Sequence, residues 1–515
     1  MRRAGVHVGI LFALTIAWFA IGLGQPLVRN GLVYARAAWN VAAAGYDPRP
    51  VVADSHLSYD KPVGFALLAS PFVARFGAHD GLRIASLLGA LAYVAAVALF
   101  AKALLPGAER SHSRTLLLWL ASFGPLVAYQ AWSAHPDAWF AALFVVAVTL
   151  SHRLATGDDA GVPRRALLLA VVLLAAFLLK NYALILLPSC ALYVAVHLRA
   201  AARAGRRARR LAAWSGAALL PVLAFAVAAR LGWNPLSRLE GEGGGADQYA
   251  FARIGSIWWK TLAQLGIALA LQFHVVLVGT LLGAPLGALS RTSRARDVLL
   301  PALCFGAIYV AGLTPFPTAF YNMRYFQPLF PLAALAVVRG AEAWPAAARR
   351  LAFALFLLVN AATTLVWNVP PLFDRVRPHL PDTHVRWLEN GPPLALLDNL
   401  RMEQHRDQAA WLATLNENAE RGARVYLLDV DYYRDAQRTV FERDGFLRPD
   451  LRTTYVGRRE LRPEEPTFYV WSYGSPPPPP LERYGRVTPL GNRVFRVDSR
   501  PDPGTDSAPA SGSGK

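Results

Sequence analysis

Pro-Asp-Ala-Trp-Phe-Ala-Ala-Leu-Phe-Val-Val-Ala-Val-Thr-Leu-Ser-His-Arg, residues 136–153, puts a carboxylate at the head of a long apolar run and a cation at its foot. The apolar part, 138–154, approaches the roughly 20 residues a helix needs to cross a bilayer. Comparable runs cover 8–27, 82–105, 116–132, 166–179, 183–197, 211–231, 261–289, 298–313, 325–338 and 351–369. By length and apolarity this predicts about eleven transmembrane helices. The segment 62–77 is apolar but short and starts at a proline, so it reads as a helix at the interface or a re-entrant piece.

Composition agrees. The 515 residues are 54% hydrophobic and 17% charged, against about 25% charged for soluble chains, and mean hydropathy is +0.30. The net charge of +19 does not point to nucleic acid, because the arginines sit in short clusters between apolar runs, where membrane insertion favours them. Cys190 and Cys304 lie far apart inside such runs and form no zinc spacing. The N-terminus resembles a signal peptide, but Gly22-Leu23-Gly24 is a weak cleavage site. It reads as a retained first span.

Lysine and arginine orient the bundle. With a cytoplasmic N-terminus, the cytoplasmic loops carry Arg2/Arg3, Arg110/Arg114, Arg153/Arg164/Arg165, the cluster from Arg199 to Arg210, Arg291/Arg294/Arg296 and Arg339/Arg349/Arg350. The short opposite loops 132–136 and 314–323 carry none. The expected organisation is therefore an all-α polytopic membrane domain over 1–370 and a small extracytoplasmic α/β domain over 371–499. A disordered Pro/Ser/Gly-rich tail follows over 500–515. In the second domain 403–421 reads as a helix, and 424–431, 467–471 and 493–497 read as strands. Asp429-Val-Asp431 has the form of a metal-binding Asp-x-Asp, and equally of an exposed strand end.

Ionisable groups held against apolar spans are costly and point to function. They gather in four outer segments. The first loop, 28–61, begins with an amphipathic stretch holding Asn30, Tyr34 and Trp39, and turns polar through Asp47, Asp54, Tyr59, Asp60 and Lys61. A tight turn holds His135 and Asp137, where Asp137 either caps its helix or faces a cavity. Lys180 follows the fifth run, snorkelling to the interface or binding an anion. Arg324 and Tyr325 open the tenth run. Positive charge hard against the membrane on this face runs against the orientation rule. Lys61, Lys180 and Arg324 are accordingly candidate ligands for a phosphate or diphosphate head group.

In this order, the pieces resemble the integral-membrane C-type (GT-C) glycosyltransferases, the superfamily of protein O-mannosyltransferases and the aminoarabinose transferase acting on lipid A. The residues that carry the resemblance are Tyr34-Ala35, Ala38-Trp39-Asn40, Tyr59-Asp60-Lys61-Pro62-Val63-Gly64, Phe76-Gly77, Asp137, Lys180, and Met323-Arg324-Tyr325 before Pro328 and Pro331. The resemblance covers 1–370. It implies sugar transfer from a polyprenyl-phosphate donor to a lipid, glycan or protein acceptor at the outer face of a bacterial inner membrane, with no cofactor required. It also implies that Asp137 is the second acidic residue of the site and that Lys61 and Arg324 hold the lipid phosphate, with Lys180 a further candidate. Asn30, followed by Gly31, stands where the family has its base, and a carboxamide accepts no proton near neutral pH. Asp54, then Asp60, is the expected replacement. Asn30, Tyr34, Tyr59, His135 and Tyr325 complete the expected binding set. The rival readings are a transporter or flippase, and a catalytically inactive relative that binds a partner.

Overall fold

The computed structural model describes residues 2–27, 30–47, 63–107, 110–199, 204–230, 254–283, 300–314, 323–342, 344–376, 378, 384–385, 394–395, 402–428, 445–456, 461–472 and 480–499. They divide into two units. One comprises Met1–Gly24 with Ala37–Glu403, the other Gln25–Arg36 with Gln404–Lys515.

The first unit is helical: α1 (Arg2–Gly22), then α2 (Asn30–Ala43), whose first turns count with the second unit, and α3 (Gly64–Leu104). There follow α4 (Ser111–Ser122), α5 (Pro125–Trp132), α6 (Asp137–Thr156), α7 (Val162–Leu179), α8 (Leu186–Arg199), α9 (Ala204–Arg230) and α10 (Ile254–Gly283). The series closes with α11 (Ile308–Leu313), α12 (Phe330–Ala341), α13 (Ala346–Asn368), the short α14 (Pro370–Val376) and a two-strand ladder, β1 (His384–Val385) with β2 (Leu394–Ala395). Among the described residues five helices are long and apolar enough to cross a membrane, over Gly5–Gly22, Gly64–Leu104, Asp137–Thr156, Val162–Leu179 and Ala346–Asn368. Their outward faces keep large apolar side chains, among them Leu167, Val171, Leu351 and Leu358. A surface of that kind suits lipid.

Several expected spans are not single helices. The run 116–132 divides into α4 and α5 at Gly124, because Pro125 biases the residue before it away from helical geometry. The carbonyls released there are not left bare: Gln272 Nε2 on α10 donates to Leu120 O and Phe123 O, each at 2.9 Å. Helix α10 itself breaks at His274 (φ 31°), and Asn360 of α13 spans the break, donating to Gln272 O at 3.1 Å and meeting His274 Nε2 at 3.2 Å. Such repairs are what the bilayer interior requires. The run 325–338 starts as a 3-10 segment, Met323–Leu329, ahead of α12, and 183–197 starts as one over Asn181–Ile185. The run 298–313 carries a π-helical stretch, Ala302–Ala307, ahead of α11.

Segment 62–77 and the following span meet within α3, where Gly77 adopts φ 85° and separates two helical pieces. Positive φ suits a residue without Cβ. The bend brings the two pieces together, so that a Cβ on Gly81 would overlap the backbone of Phe72 and Val73.

In the second unit, α15 (Met402–Asn418) precedes β3 (Arg424–Leu428), β4 (Arg452–Val456), β5 (Thr467–Ser472), β6 (Gly485–Gly491) and β7 (Val494–Ser499). The sheet order is β4-β3-β5-β7-β6, with β3 parallel to β4 and β5, and β7 antiparallel to β5 and β6. The sequence reading found β3, β5 and β7 and missed β4 and β6, which lie at the two edges. Strands β3 and β5 are buried almost throughout, and α15 packs on the sheet through the stacked rings of Trp411 and Trp471, 4.2 Å apart. Residues 432–446 and Asp429-Val-Asp431 lie outside, or mostly outside, the described residues.

Two predictions follow from this packing. Gly81→Ala is expected to destabilise the chain by about 1–3 kcal/mol, while Gly216→Ala, inside α9 and with an added Cβ that meets nothing within 4 Å, should stabilise it by about 0.5–1 kcal/mol; thermal unfolding in detergent compares them. The second concerns Glu465. Burial raises its pKa, but hydrogen bonds from Arg424 (2.8 Å) and Tyr426 (3.1 Å) outweigh that and hold it below the ordinary 4.5. A lowered folded pKa contributes stability that is present above the unfolded value and is lost as pH falls through the folded one. Glu465→Gln should therefore be less stable than the parent at pH 7, with the gap closing as acid takes the pH below 4.5.

Candidate active site

One end of the helical unit collects the termini of α1, α5, α7 and α13 and the start of α6. The sequence turns between α5 and α6 through Ser133-Ala-His-Pro136, and Ala134 takes φ 60°. A non-glycine residue there is strained by about 1–3 kcal/mol, a cost that clusters at functional sites. The turn is held from both sides. Ser133 Oγ donates to Gln130 Oε1 (3.2 Å), Ser86 Oγ of α3 donates to His135 O (3.1 Å), and Trp139 Nε1 donates to Ala85 O (2.7 Å). His135 is fully buried and its Nδ1 lies 2.5 Å from Ser133 O. A carbonyl only accepts, so Nδ1 carries a proton.

Asp137 is thereby fixed at the first position of α6. It is buried. Its Oδ1 lies 3.1 Å from Lys180 Nζ, and Oδ2 lies 3.2 Å from Arg324 Nε. Lys180 ends α7, where its extended backbone (φ −150°, ψ 127°) turns the chain into the following 3-10 segment. Arg324 comes from the Met323–Leu329 segment. The Tyr325 ring lies beside both cations, 5.3 Å from Lys180 Nζ and 5.5 Å from the Arg324 guanidinium carbon. Its backbone is held by Tyr309 Oη, which donates to Tyr325 O at 2.7 Å. Three residues far apart in sequence thus form one buried ionic cluster, in which Asp137 contacts both Lys180 and Arg324.

The helical unit also carries an open apolar groove of about 510 Å³. Trp258 and Leu262 of α10, Gly306 and Val310 of the π/α11 stretch, and Leu329 and Ala336 leading into α12 line it. Val310 follows Tyr309 in sequence, and Leu329 closes the 3-10 segment that begins with Met323 and Arg324.

The other expected site residues fare differently. Asp54, Tyr59, Asp60 and Lys61 lie outside the described residues. Asn30 opens α2, and Tyr34 is buried in the part of α2 that belongs to the second unit. Sequence reasoning missed Arg83, which is fully buried, donates from Nη1 to Gly22 O (2.5 Å) at the end of α1, and lies 5.3 Å over the Trp132 ring. Trp132 in turn donates to Asn368 Oδ1 at 3.2 Å. The available signal was a lone arginine near the start of an apolar run. Gln130 and Gln327, both buried, gave no such signal because uncharged amides are common in helices. No group of His, Cys, Asp or Glu able to hold a metal occurs among the described residues.

No family model matches the sequence, and no curated protein is similar to it at the sequence level. Solved structures are. ArnT from Cupriavidus metallidurans bound to undecaprenyl phosphate matches over 96% of this chain and 97% of its own, with TM-score 0.57 and 14% identity. The apo form of the same protein matches over the same shares, with TM-score 0.51 and 12% identity. The chain has the GT-C fold. At this identity the GT-C likeness is one of architecture, and it agrees with the resemblance read from the sequence.

The charge arrangement makes a stability prediction. Asp137→Asn leaves two buried cations without their shared carboxylate, and breaking a buried pair costs about 3–5 kcal/mol. Lys180→Met keeps the Arg324–Asp137 pair and should cost clearly less. Melting temperatures of the two variants in the same detergent test the order; an Asp137→Asn protein as stable as its parent contradicts it.

Proposed function

We propose that this GT-C chain is a glycosyltransferase that moves a sugar from a polyprenyl-phosphate donor to an acceptor hydroxyl on a lipid, glycan or protein. The setting is the outer face of a bacterial inner membrane, with about eleven crossings by apolar length and the C-terminal unit outside the cytoplasm. The observation that carries the reading is the buried cluster in which two cations share one carboxylate, in a unit that also carries an apolar groove. Those three side chains carry an excess of one positive charge. A lipid phosphate has the complementary charge, and its hydrocarbon chain suits a groove lined by Leu262, Val310 and Leu329. The fold supports the same donor class, since the ArnT structure of like fold holds undecaprenyl phosphate.

The chemistry follows from charge. As the bond from the anomeric carbon to the phosphate oxygen breaks, negative charge grows on the phosphate, and fixed cations in a dry site stabilise it. Arg324 and Lys180 take that role here, with Lys61 joining them. Asp137 has both oxygens engaged by cations, so it orients them instead of collecting the acceptor proton. The base falls to Asp54, with Asp60 next, in the first outer loop. Attack from the face opposite the phosphate inverts the anomeric centre.

Purified chain in vesicles, supplied with a labelled polyprenyl-phosphate sugar and envelope lipids, glycans and proteins, is expected to move label to an acceptor. Removing a donor that stabilises developing charge costs on the order of 100-fold in rate, so Arg324→Met should lose at least that much. Full rates in both Asp54→Asn and Asp60→Asn would remove the base assignment. Passage of the labelled lipid across the bilayer without any sugar product would replace the transferase reading with a transporter.

A further inference from the structure

Gln327 lies one 3-10 turn after Arg324 in the Met323–Leu329 segment. Residues three apart eclipse one another in a 3-10 helix, so the two side chains leave the same side of the segment, the side that meets Asp137. Gln327 is fully buried, and among the described residues neither its Oε1 nor its Nε2 has a hydrogen-bond partner. Arg324 Nη1 is likewise buried without one. The backbone around Gln327 is by contrast fixed, its carbonyl accepting from Tyr93 Oη at 3.4 Å. A buried polar atom left unpaired lowers stability, and an apolar side chain of the same shape would avoid that. A methionine would fill the position without loss of volume. A carboxamide kept there has donor and acceptor groups to offer a ligand.

We infer that Gln327 binds hydroxyl groups of the sugar carried by the donor lipid. The inference rests on the donor reading above and assigns the sugar end of that donor. Donor and acceptor counts distinguish the two ends of that lipid. Phosphate oxygens only accept, and the cations Lys180 and Arg324 only donate, so they match each other. A carboxamide does both, and so do sugar hydroxyls, which need an acceptor for each O–H and a donor for each lone pair. Oε1 would be wasted on a phosphate and is used by a hydroxyl. A site built to hydrogen-bond a substrate hydroxyl also discriminates strongly against analogues that lack it. Gln327 is thus a residue for sugar selectivity, next to residues for phosphate binding.

The test uses the full chain in detergent micelles with two probes, undecaprenyl phosphate without sugar and a polyprenyl-phosphate hexose, and compares the parent with Gln327→Met and Gln327→Glu. Gln327→Met is expected to keep or raise the melting temperature and to bind undecaprenyl phosphate like the parent. It should bind the sugar-bearing lipid roughly 10- to 100-fold more weakly, the loss expected when one or two such hydrogen bonds go. Gln327→Glu keeps acceptors and loses the donor, and should fall between them for the sugar-bearing lipid. Equal weakening towards both lipids would make Gln327 a phosphate contact and overturn the inference. Unchanged binding of both, with a lowered melting temperature, would make it a structural side chain holding water. A parent that binds neither lipid would sink the donor reading itself, an outcome distinct from a parent that binds both and a variant that does not discriminate.

Discussion

The sharing of Asp137 between Lys180 and Arg324 decides where separate parts of the helical unit must meet. A carboxylate and two cations taken out of water are each expensive alone, and the expense is offset only when they are brought within about 3 Å of each other in good geometry. The observed separations are 3.1 and 3.2 Å. Meeting that condition places the start of α6, the end of α7 and the segment before α12 at one point. The remaining features at that end of the unit, from the Tyr309 bond to Tyr325 O to the strained backbone of Ala134, hold those three segments where the charges require them.

The same logic runs through the interrupted helices. Interruptions free backbone groups in a medium that offers them no water, and long-range side chains meet three such points: Gln272 at the break before α5, Asn360 at the break in α10, and Arg83 at the end of α1. These amides and the arginine are far in sequence from what they repair. Helix ends that would be liabilities in lipid become fixed points, and the candidate site is assembled from them. Gln327 is different in kind. Its backbone is tied down and its side chain is not, which is the pattern of a group kept for a ligand at some cost in stability.

The apolar groove adds the second half of an amphipathic recognition problem. A π-helical stretch is rare and often marks a functional position, and here it forms a wall of the groove with small residues such as Gly306 and Ala307. A buried cationic cluster and an apolar groove in one unit suit a molecule with an anionic head and a hydrocarbon tail. In the second unit the stability logic is that of water-soluble α/β packing, with buried parallel strands at the centre and ion pairs such as Arg424–Glu465 at the margin.

Apolar length and arginine placement determined that this is a chain of membrane helices with a separate α/β unit, because both signals are local and survive without any knowledge of contacts. The unusual placement of Asp137, Lys180 and Arg324 was legible for the same reason, since a charge beside an apolar run is costly wherever it points. Their pairing was not legible. Asp137 and Arg324 stand far apart in sequence, and only packing shows that one carboxylate serves two cations. Arg83, Gln272, Asn360 and Gln327 were hidden more deeply: an amide or a lone arginine in a helix looks ordinary until the neighbouring backbone is known. The tertiary structure decided which polar groups are satisfied and which are left waiting, because satisfaction is a property of distances and burial, and no spacing along the chain encodes it.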